Sequence, residues 1–253
     1  MKILVIPDGQ CKTGVPTEHW TWLGKYIVDK QPDVIVNIGD MADMPSLSSY
    51  DVGKKSFEGR RYKDDVNAVI EAQSLLFTPL IEFNERAKRN KEKQYKPRLV
   101  LTLGNHEERI LRAINSDSKL DGTLSIDDLC YDKFGWEVYP YLQPVIIEGV
   151  AFSHFFPSGV LGRPTTSARA LITKMHMSCI AGHQQGRDIA YGRRADGTEI
   201  TAIIAGSFYQ HDEDYLNPLT NRHWRGVFVL HEIHNGSFDE MAVSIGYLRR
   251  KYA

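Results

Sequence analysis

The amino-acid sequence predicts an α/β fold, a four-layer α/β/β/α sandwich in which two mixed β-sheets pack face to face between outer helices. Three observations predict it. Short apolar, β-branched runs alternate with amphipathic helical patterns in the first half, which is typical of strands joined by helices. The second half is richer in strand patterns separated by turn residues. No repeat, low-complexity tract or Pro/Ser-rich linker divides the chain, so residues 1–253 are predicted to form one domain.

The first half contains three strand patterns and four helical patterns. The predicted strands are 3–6, 34–38 and 98–103, and the predicted helices are 17–30, 63–93, 105–116 and 125–134. Thr17 stands at the N-cap position of the first helix, and Pro32 follows its end. Pro79 lies inside the long second helix and predicts a kink or an interruption there. A polar loop is expected over residues 44–62.

The second half begins with a hairpin pattern, in which Glu148-Gly149 separates two short strands. A helix is predicted over residues 165–176. The predicted strands are 145–147, 150–153, 177–181, 187–191, 199–205, 226–231 and 237–244. The run Ala-Asp-Gly-Thr at 195–198 predicts a turn between two of them.

Composition and charge are those of an ordinary globular protein. The net charge is −1 at pH 7, so the chain as a whole has no general attraction for nucleic acid or an anionic membrane. Cys11, Cys130 and Cys179 have no motif spacing and are expected to be reduced thiols, as in a cytosolic protein. The apolar N-terminal run is too short for a signal peptide, and no apolar stretch approaches the ~20 residues that span a bilayer. We therefore expect a cytoplasmic protein without a membrane partner.

Polar residues follow three predicted strands of the first half. Asp8 comes after the first strand, Asp40 and Asp43 come after the second, and Asn105 and His106 come after the third. Open α/β sheets assemble their sites at the carboxyl ends of strands, so we expect these side chains at one rim. Carboxylates, an amide and an imidazole together predict a site for a metal ion and a phosphate.

Five sequence blocks carry a family pattern. They read Asp8-Gly9-Gln10, Gly39-Asp40-Met41-Ala42-Asp43, Gly104-Asn105-His106-Glu107, His154 after a strand, and Gly182-His183-Gln184-Gln185, with Gly206-Ser207 following. In these blocks the sequence resembles the calcineurin-like metallophosphoesterases, whose signature is D-x-H, G-D-x-x-D, G-N-H-E/D, a lone H and G-H-x-H. The loops are also similar to those of phage- or prophage-encoded members, which would place the protein in a host cytoplasm.

The resemblance implies two metal sites that share Asp40 as a bridging ligand. The second site would also take Asn105, His154 and His183, all of which are present. Two imidazoles, an amide oxygen and a carboxylate suit Mn²⁺, Fe²⁺, Ni²⁺ or Zn²⁺.

The first metal site departs from the family pattern. Asp8 is present, but both family histidines are glutamines, so the blocks read D-x-Q with Gln10 and G-H-x-Q with Gln185. Glutamine offers a neutral oxygen, and an all-oxygen site favours Mn²⁺ or Mg²⁺. We expect one firm and one weak, exchangeable site, with Mn²⁺ the best single candidate. The alternative is that the glutamines only form hydrogen bonds and one metal works alone.

The resemblance also implies a mechanism and catalytic residues. A metal-bound hydroxide would attack phosphorus in line, without a covalent enzyme intermediate. His106 matches the family histidine near the leaving group, and Asp43 matches the carboxylate that orients it. Glu107 would either support the ligands or place a favourable charge at a helix N-terminus, and the second interpretation is favoured.

The expected activity is hydrolysis of a phosphate ester. Met44 follows Asp43, where the family's protein phosphatases usually carry arginine, so a phosphodiester such as a nucleotide or nucleic acid is favoured over a phosphoprotein. Two alternatives stay open: a phosphomonoesterase acting on a small molecule, and a non-catalytic metal-binding scaffold. Retention of His106 argues against the scaffold, because a structural metal site does not need it. The oligomeric state is left open.

Three weaker signals concern the substrate. Arg163 precedes an expected helix start at 164–167, where it would bind phosphate or simply flank a capped surface helix. The basic run at 86–98 would bind a nucleic-acid backbone or, more often for such runs, form the solvated end of a helix. An acidic and aromatic loop at 211–224 would cover the site, contact a partner or close the sheet.

Overall fold

The structure is a computed structural model that describes residues 1–213 and 216–253. In these ranges the strands are β1 (Ile3–Ile6), β2 (Val34–Asn37), β3 (Arg98–Thr102), β4 (Glu137–Tyr139), β5 (Val145–Ile147), β6 (Val150–Ser153), β7 (Pro157–Ser158), β8 (Arg163–Pro164), β9 (Ser178–Ala181), β10 (Arg187–Arg193), β11 (Glu199–Ala205), β12 (Gly226–His234) and β13 (Ser237–Ser244). The α-helices are α1 (Glu18–Lys30), α2 (Tyr62–Arg89), α3 (Glu108–Ser116), α4 (Ala168–Met175) and α5 (Ile245–Tyr252).

Two large mixed sheets form the centre of the described structure. The first has the strand order β13-β12-β1-β2-β3-β4, in which β1 to β4 run parallel and β12 and β13 pair antiparallel. The second has the order β10-β11-β9-β6-β5, in which β6, β9 and β11 are parallel. β7 and β8 form a separate two-stranded ribbon. Parallel neighbours place their carboxyl ends at one edge, which is where this class of sheet carries sites.

Alternation of side chains along β1 separates the layers of the core. Leu4 and Ile6 cluster with the apolar faces of α1, α2 and α5. Ile3 and Val5 point the other way and cluster with residues of the second sheet. The outer face of that sheet packs against α4 through Leu171. The order of layers is therefore α/β/β/α, and the predicted sandwich of two mixed sheets flanked by helices is confirmed.

Several helix boundaries differ from the sequence prediction. α2 is continuous through Pro79, so the predicted interruption is wrong. α3 begins at Glu108 rather than at residue 105. α4 begins at Ala168, because the Ser167 hydroxyl caps the helix by accepting a hydrogen bond from the backbone N–H of Ala170 at 3.2 Å.

The predicted α-helix over residues 125–134 is wrong. The chain forms two short 3₁₀ segments instead, Ile126–Leu129 and Asp132–Phe134. Ser125 and Asp128 make the capping box typical of a helix start, but Cys130 adopts a left-handed φ of 56° and stops the segment after four residues. Strands β4, β7 and β8 and helix α5 were not predicted.

The expected helix start beside Arg163 is also wrong. Arg163 lies in β8, and its side chain is exposed on the small ribbon. In the loop predicted at 211–224, residues 214 and 215 lie outside the described residues. Within the described part of the chain, no helix combines the length and apolar character that a membrane crossing requires.

Candidate metal centre

Loops that follow five strands meet at one end of the two sheets. They carry Asp8 after β1, Asp40 after β2, Asn105 after β3, His154 after β6 and His183 after β9. All five side chains are buried or half-buried. Residues that lie far apart in the sequence thus come together, because both sheets direct the carboxyl ends of parallel strands to this end.

Two glycines allow the loops after β2 and β3 to lie against each other. A Cβ atom at Gly104 would lie 2.1 Å from Oδ1 of Asp40, and one at Gly39 would lie 2.6 Å from the backbone nitrogen of Gly104. The backbone N–H of His106 donates to the same Asp40 oxygen at 2.9 Å. This bond leaves Oδ2 of Asp40 directed toward the histidines, 3.2 Å from Nε2 of His154.

Four side chains form a compact donor set. The ligand atoms of Asp40, His154 and His183 all lie within 4.8 Å of one another. Oδ1 of Asn105 lies 2.9 Å from Nε2 of His154 and 2.8 Å from Nδ1 of His183. The structure therefore brings together the four residues that the family resemblance implies for the second metal site.

The hydrogen bonds of His154 test whether this donor set fits a metal ion. Nδ1 lies 3.1 Å from the carbonyl oxygen of Ile38, which can only accept, so Nδ1 carries a proton. In the neutral ring, Nε2 then directs a lone pair toward the oxygens of Asn105 and Asp40. Converging lone pairs favour a cation between them, and two imidazoles, an amide oxygen and a carboxylate fit a divalent transition-metal ion.

The electrostatics of the donor set favour a positive charge beside Asp40. Burial raises the pKa of Asp40, but His106 and His154 outweigh burial and hold that pKa well below its usual range. Burial lowers the pKa of His154, yet the Asp40 carboxylate brings it up to about 9, so a metal ion bound here would have to displace a proton from Nε2. Burial and the neighbouring His154 lower the pKa of His183 to about 4, so this ring is neutral, the form that binds metals.

Asp8 lies beside the donor set and adds a second carboxylate. It is fully buried, and both of its oxygens accept from the backbone N–H of His183 at 3.1 Å. Burial and the Asp40 carboxylate raise the pKa of Asp8 to about 7, although His154 lowers it. A cation between Asp8 and Asp40 would relieve their repulsion.

Gln10 and Gln185 belong to the loops that carry Asp8 and His183. Gln10 is fully buried, and its backbone N–H donates to the carbonyl oxygen of Asp40 at 2.8 Å. The amide oxygen of Gln185 accepts a hydrogen bond from the Tyr209 hydroxyl.

His106 and Asp43 form a buried pair next to the donor set. Nδ1 of His106 lies 2.8 Å from Oδ1 of Asp43, and its Nε2 lies 3.7 Å from Oδ2 of Asp40. Nη2 of Arg109 lies 3.1 Å from the same Nε2, while Nη1 donates to the carbonyl oxygen of Asp43 at 2.7 Å. Burial lowers the pKa of His106, but the carboxylates of Asp40 and Asp43 outweigh it, so the pKa is raised.

Glu107 supports the two loops from behind. Its carboxylate accepts hydrogen bonds from the backbone N–H groups of Gly104 at 2.8 Å, Asp40 at 3.0 Å and Ala42 at 2.9 Å. The Tyr131 hydroxyl donates to it at 3.1 Å. Glu107 is the N-cap residue of α3, as the favoured interpretation expects, but the hydrogen bonds of its carboxylate also support the loops that carry the ligands. The sequence carried no signal that separated the two interpretations, because both place an acid just before the helix.

A cleft of about 510 Å³ opens beside His106 and Asp43. Its lining includes six acidic residues and five basic ones, and the basic ones are Lys12, Lys54, Arg60, Arg61 and Arg109. The charges are nearly balanced, so the cleft has no strong field of one sign. Sequence reasoning missed Lys12, because a single lysine in a loop carries no motif.

Two sequence signals lie away from this centre. Arg163, predicted to bind substrate, is not among the described residues that line the cleft. The basic run at 86–98 ends where β3 begins, whereas Asn105 follows the other end of that strand. Five residues at about 3.3 Å each put roughly 17 Å between the two ends. The basic run therefore lies toward the opposite edge of the sheet.

Comparisons with known proteins find similar solved structures at low sequence identity. No protein-family model matches the sequence, and no curated protein matches it. Among solved structures, the chain is similar to YfcE, a phosphoesterase from E. coli, with 14% identity, coverage of 97% of this chain and 100% of that chain, and a TM-score of 0.37. It is also similar to a predicted phosphoesterase from Streptococcus pneumoniae TIGR4, with 10% identity, coverage of 96% and 97%, and a TM-score of 0.34.

Proposed function

We propose that the protein is a metal-dependent phosphoesterase, a hydrolase that cleaves a phosphate ester. The observation that carries this proposal is the four-residue donor set beside the His106–Asp43 pair. A metal site alone would be equally consistent with a purely structural role of the metal ion. His106 adds a proton donor at the edge of that site, because it is buried and its pKa is raised. Asp43 orients its ring, and the carboxylate of the candidate ligand Asp40 lies 3.7 Å away.

In this proposal, Asp40, Asn105, His154 and His183 hold one divalent cation. Asp8, Gln10, Asp40 and Gln185 hold a second one more weakly. Mn²⁺ is the favoured ion because it suits both the oxygen-only set and the set with two imidazoles, with Mg²⁺, Ni²⁺, Fe²⁺ and Zn²⁺ as alternatives. When bound, the cations supply positive charge for the phosphate oxygens and lower the pKa of the attacking water.

His106 supplies the proton that the leaving oxygen needs. Its Nδ1–H donates to Oδ1 of Asp43, so Nε2 is the nitrogen left to hold and deliver the transferable proton. Nη2 of Arg109 donates to Nε2 at 3.1 Å here and would have to turn to the substrate before Nε2 takes up that proton. General-acid assistance of this kind contributes roughly 10²–10⁴-fold. Arg109, held by the carbonyl oxygen of Asp43, presents Nη2 on the same side and would contact a phosphate or leaving oxygen there.

The cleft beside His106 supports a substrate with an organic leaving group. It lies on the side where His106 would protonate that group, and its volume is in the range of small-molecule sites. A phosphodiester, such as a nucleotide or an end of a nucleic acid, is the favoured substrate. The near balance of charge in the cleft favours a compact group over a long polyanion.

The test is hydrolysis of bis-p-nitrophenyl phosphate and p-nitrophenyl phosphate by metal-stripped protein. Each ester is assayed during titration with Mn²⁺, Mg²⁺, Ni²⁺ and Zn²⁺. Asp40→Asn is the matched variant, because it keeps the size of the side chain but removes the charge shared by both proposed sites. We expect Mn²⁺-dependent cleavage of the diester that is lost in Asp40→Asn.

The other outcomes each select a different function. Faster cleavage of the monoester would establish the phosphomonoesterase alternative. Protein that is folded and binds metal, yet cleaves neither ester with any ion, would contradict the proposal and support the non-catalytic scaffold.

A further inference from the structure

Lys12 connects the His106–Asp43 pair to a segment near the other end of the chain. Its Nζ lies 3.0 Å from Oδ2 of Asp43. The same nitrogen donates to both carboxylate oxygens of Glu213, at 2.8 and 2.7 Å. The Lys12 side chain is one-fifth exposed and that of Glu213 is 4% exposed, so both charges are largely withdrawn from water.

Asp43 is held through both of its carboxylate oxygens. Oδ1 accepts from Nδ1 of His106 at 2.8 Å, and Oδ2 faces the Lys12 ammonium. A carboxylate bonded at one oxygen can rotate about its last torsion, which is broad. Contacts at both oxygens fix the plane of the group, and with it the direction in which Oδ1 meets the imidazole.

Glu213 in turn determines where the Lys12 ammonium lies. Its backbone N–H donates to Oδ1 of Asn221 at 2.9 Å, and this bond holds Glu213 against a residue eight positions further along the chain. Its carboxylate also lies 2.5 Å from Nε2 of His211. A flexible four-carbon side chain needs such an anchor to keep its charge in one place.

We propose that Lys12, held by Glu213, is a positioning residue that fixes Asp43 and thereby aims His106 at the leaving oxygen. This inference rests on the proposed role of His106 in phosphate-ester hydrolysis. Lys12 acts through Asp43, so its removal affects the step that His106 assists and leaves the metal ligands in place.

The kinetic test compares two phosphodiesters, bis-p-nitrophenyl phosphate with a good leaving group and diphenyl phosphate with a poor one. Only the poor leaving group depends strongly on protonation. In Lys12→Met we expect kcat for diphenyl phosphate to fall by about 10-fold or more, with a much smaller fall for the nitrophenyl ester and little change in KM. Lys12→Arg should restore most of the loss, because it keeps the charge.

Three further variants make the kinetic result specific. In a His106→Ala background, Lys12→Met should cause no additional loss, since the two residues act in one unit. Lys12→Met/Glu213→Gln is measured alongside, because it avoids leaving a buried carboxylate without its lysine. Lys174→Met, on the exposed face of α4, controls for the general effect of replacing a lysine by methionine.

A second measurement is independent of activity. The ring proton on Nδ1 of His106 is expected as a downfield NMR resonance that is absent in His106→Ala, because its bond to Asp43 protects it from exchange. In Lys12→Met this resonance should broaden or vanish, whereas in Lys174→Met it should persist.

Distinct results would overturn the two proposals. Equal losses for both esters, a loss that persists without His106, a rise in KM alone, or an unchanged Nδ1–H resonance would each overturn the positioning role. If the wild type cleaves neither ester with any metal ion, the proposed function fails. The Nδ1–H resonance alone then tests whether Lys12 positions Asp43 and His106.

Discussion

Glu107 is the residue on which the loops of the candidate metal centre converge. Its buried carboxylate accepts backbone N–H groups from both the loop after β2, at Asp40 and Ala42, and the loop after β3, at Gly104. Hydrogen bonds to a charged acceptor are about twice as strong as neutral ones. Glu107 therefore holds together the two loops that present Asp40 and Asn105.

We expect Glu107→Gln to weaken metal binding by about 10–100-fold, the usual effect of losing a partner behind the ligands. Glutamine has a similar size, but one of its two polar atoms is a donor that would face backbone N–H groups. Glu108→Gln is the control, because Glu108 is the next residue and is partly exposed. Calorimetric titration of Mn²⁺ measures both variants. An affinity equal to that of the wild type in Glu107→Gln would contradict this role.

At the scale of single residues, the sequence predicted the position of side chains that directly follow a strand. Asp40 and Asn105 follow apolar strands directly, so their place at the rim could be predicted. The contacts of Glu107 depend on how one loop turns back toward another, which periodicity does not encode. Lys12 depends on Glu213, 201 residues away, and no local pattern indicates that contact.

Among the helices, α1 and α2 pack so closely that α1 requires a glycine at the contact. A Cβ atom at Gly24 would lie 2.3 Å from the carbonyl oxygen of Leu76 and 3.0 Å from the ring of Pro79 in α2. The carbonyl oxygen belongs to the helix backbone, so it cannot move aside as a flexible side chain would. The pair of helices covers the first sheet on the face opposite the second sheet.

We therefore expect Gly24→Ala to lower the free energy of unfolding. Alanine gains about 1 kcal/mol in helix propensity, but overpacking against a fixed backbone costs about 1–3 kcal/mol. Gly246→Ala in α5 is the matched control, because the atom that its Cβ would approach is the flexible end of the Arg250 side chain, 3.5 Å away. Urea unfolding should show the control unchanged or slightly more stable. Equal stability of the two variants would contradict the packing argument.

Strands buried on one or both faces were predicted most closely. The bounds of β1, β6 and β11 match the sequence prediction, because each is a buried apolar run. The helix predicted over 125–134 failed at Cys130, where a non-glycine residue takes a left-handed conformation that no sequence signal marks. β4 was missed because it has only three residues and is largely exposed.

At the scale of the whole molecule, the candidate centre joins the two sheets. Asp8, Asp40 and Asn105 come from loops of the first sheet, and His154 and His183 come from loops of the second. The sandwich could be predicted from the alternating patterns of each half. Local patterns could not predict that loops of the two sheets meet at one site. We expected this only because the family blocks occur in the same order in this sequence.

A cation bound between the two sheets should stabilise the whole fold. A ligand that binds only the folded state adds about 2.7 kcal/mol at 100 times its Kd, which corresponds to a rise in Tm of roughly 5–10 °C for a chain of this size. We expect Mn²⁺ to raise the Tm of the metal-stripped protein by an amount in this range. Asp40→Asn and His183→Ala remove one ligand from each sheet, and each should lose most of the rise. Scanning calorimetry with and without Mn²⁺ measures the difference. A rise of the same size in both variants would place the ion elsewhere, since a cation held by both sheets cannot keep its affinity when either sheet loses its ligand.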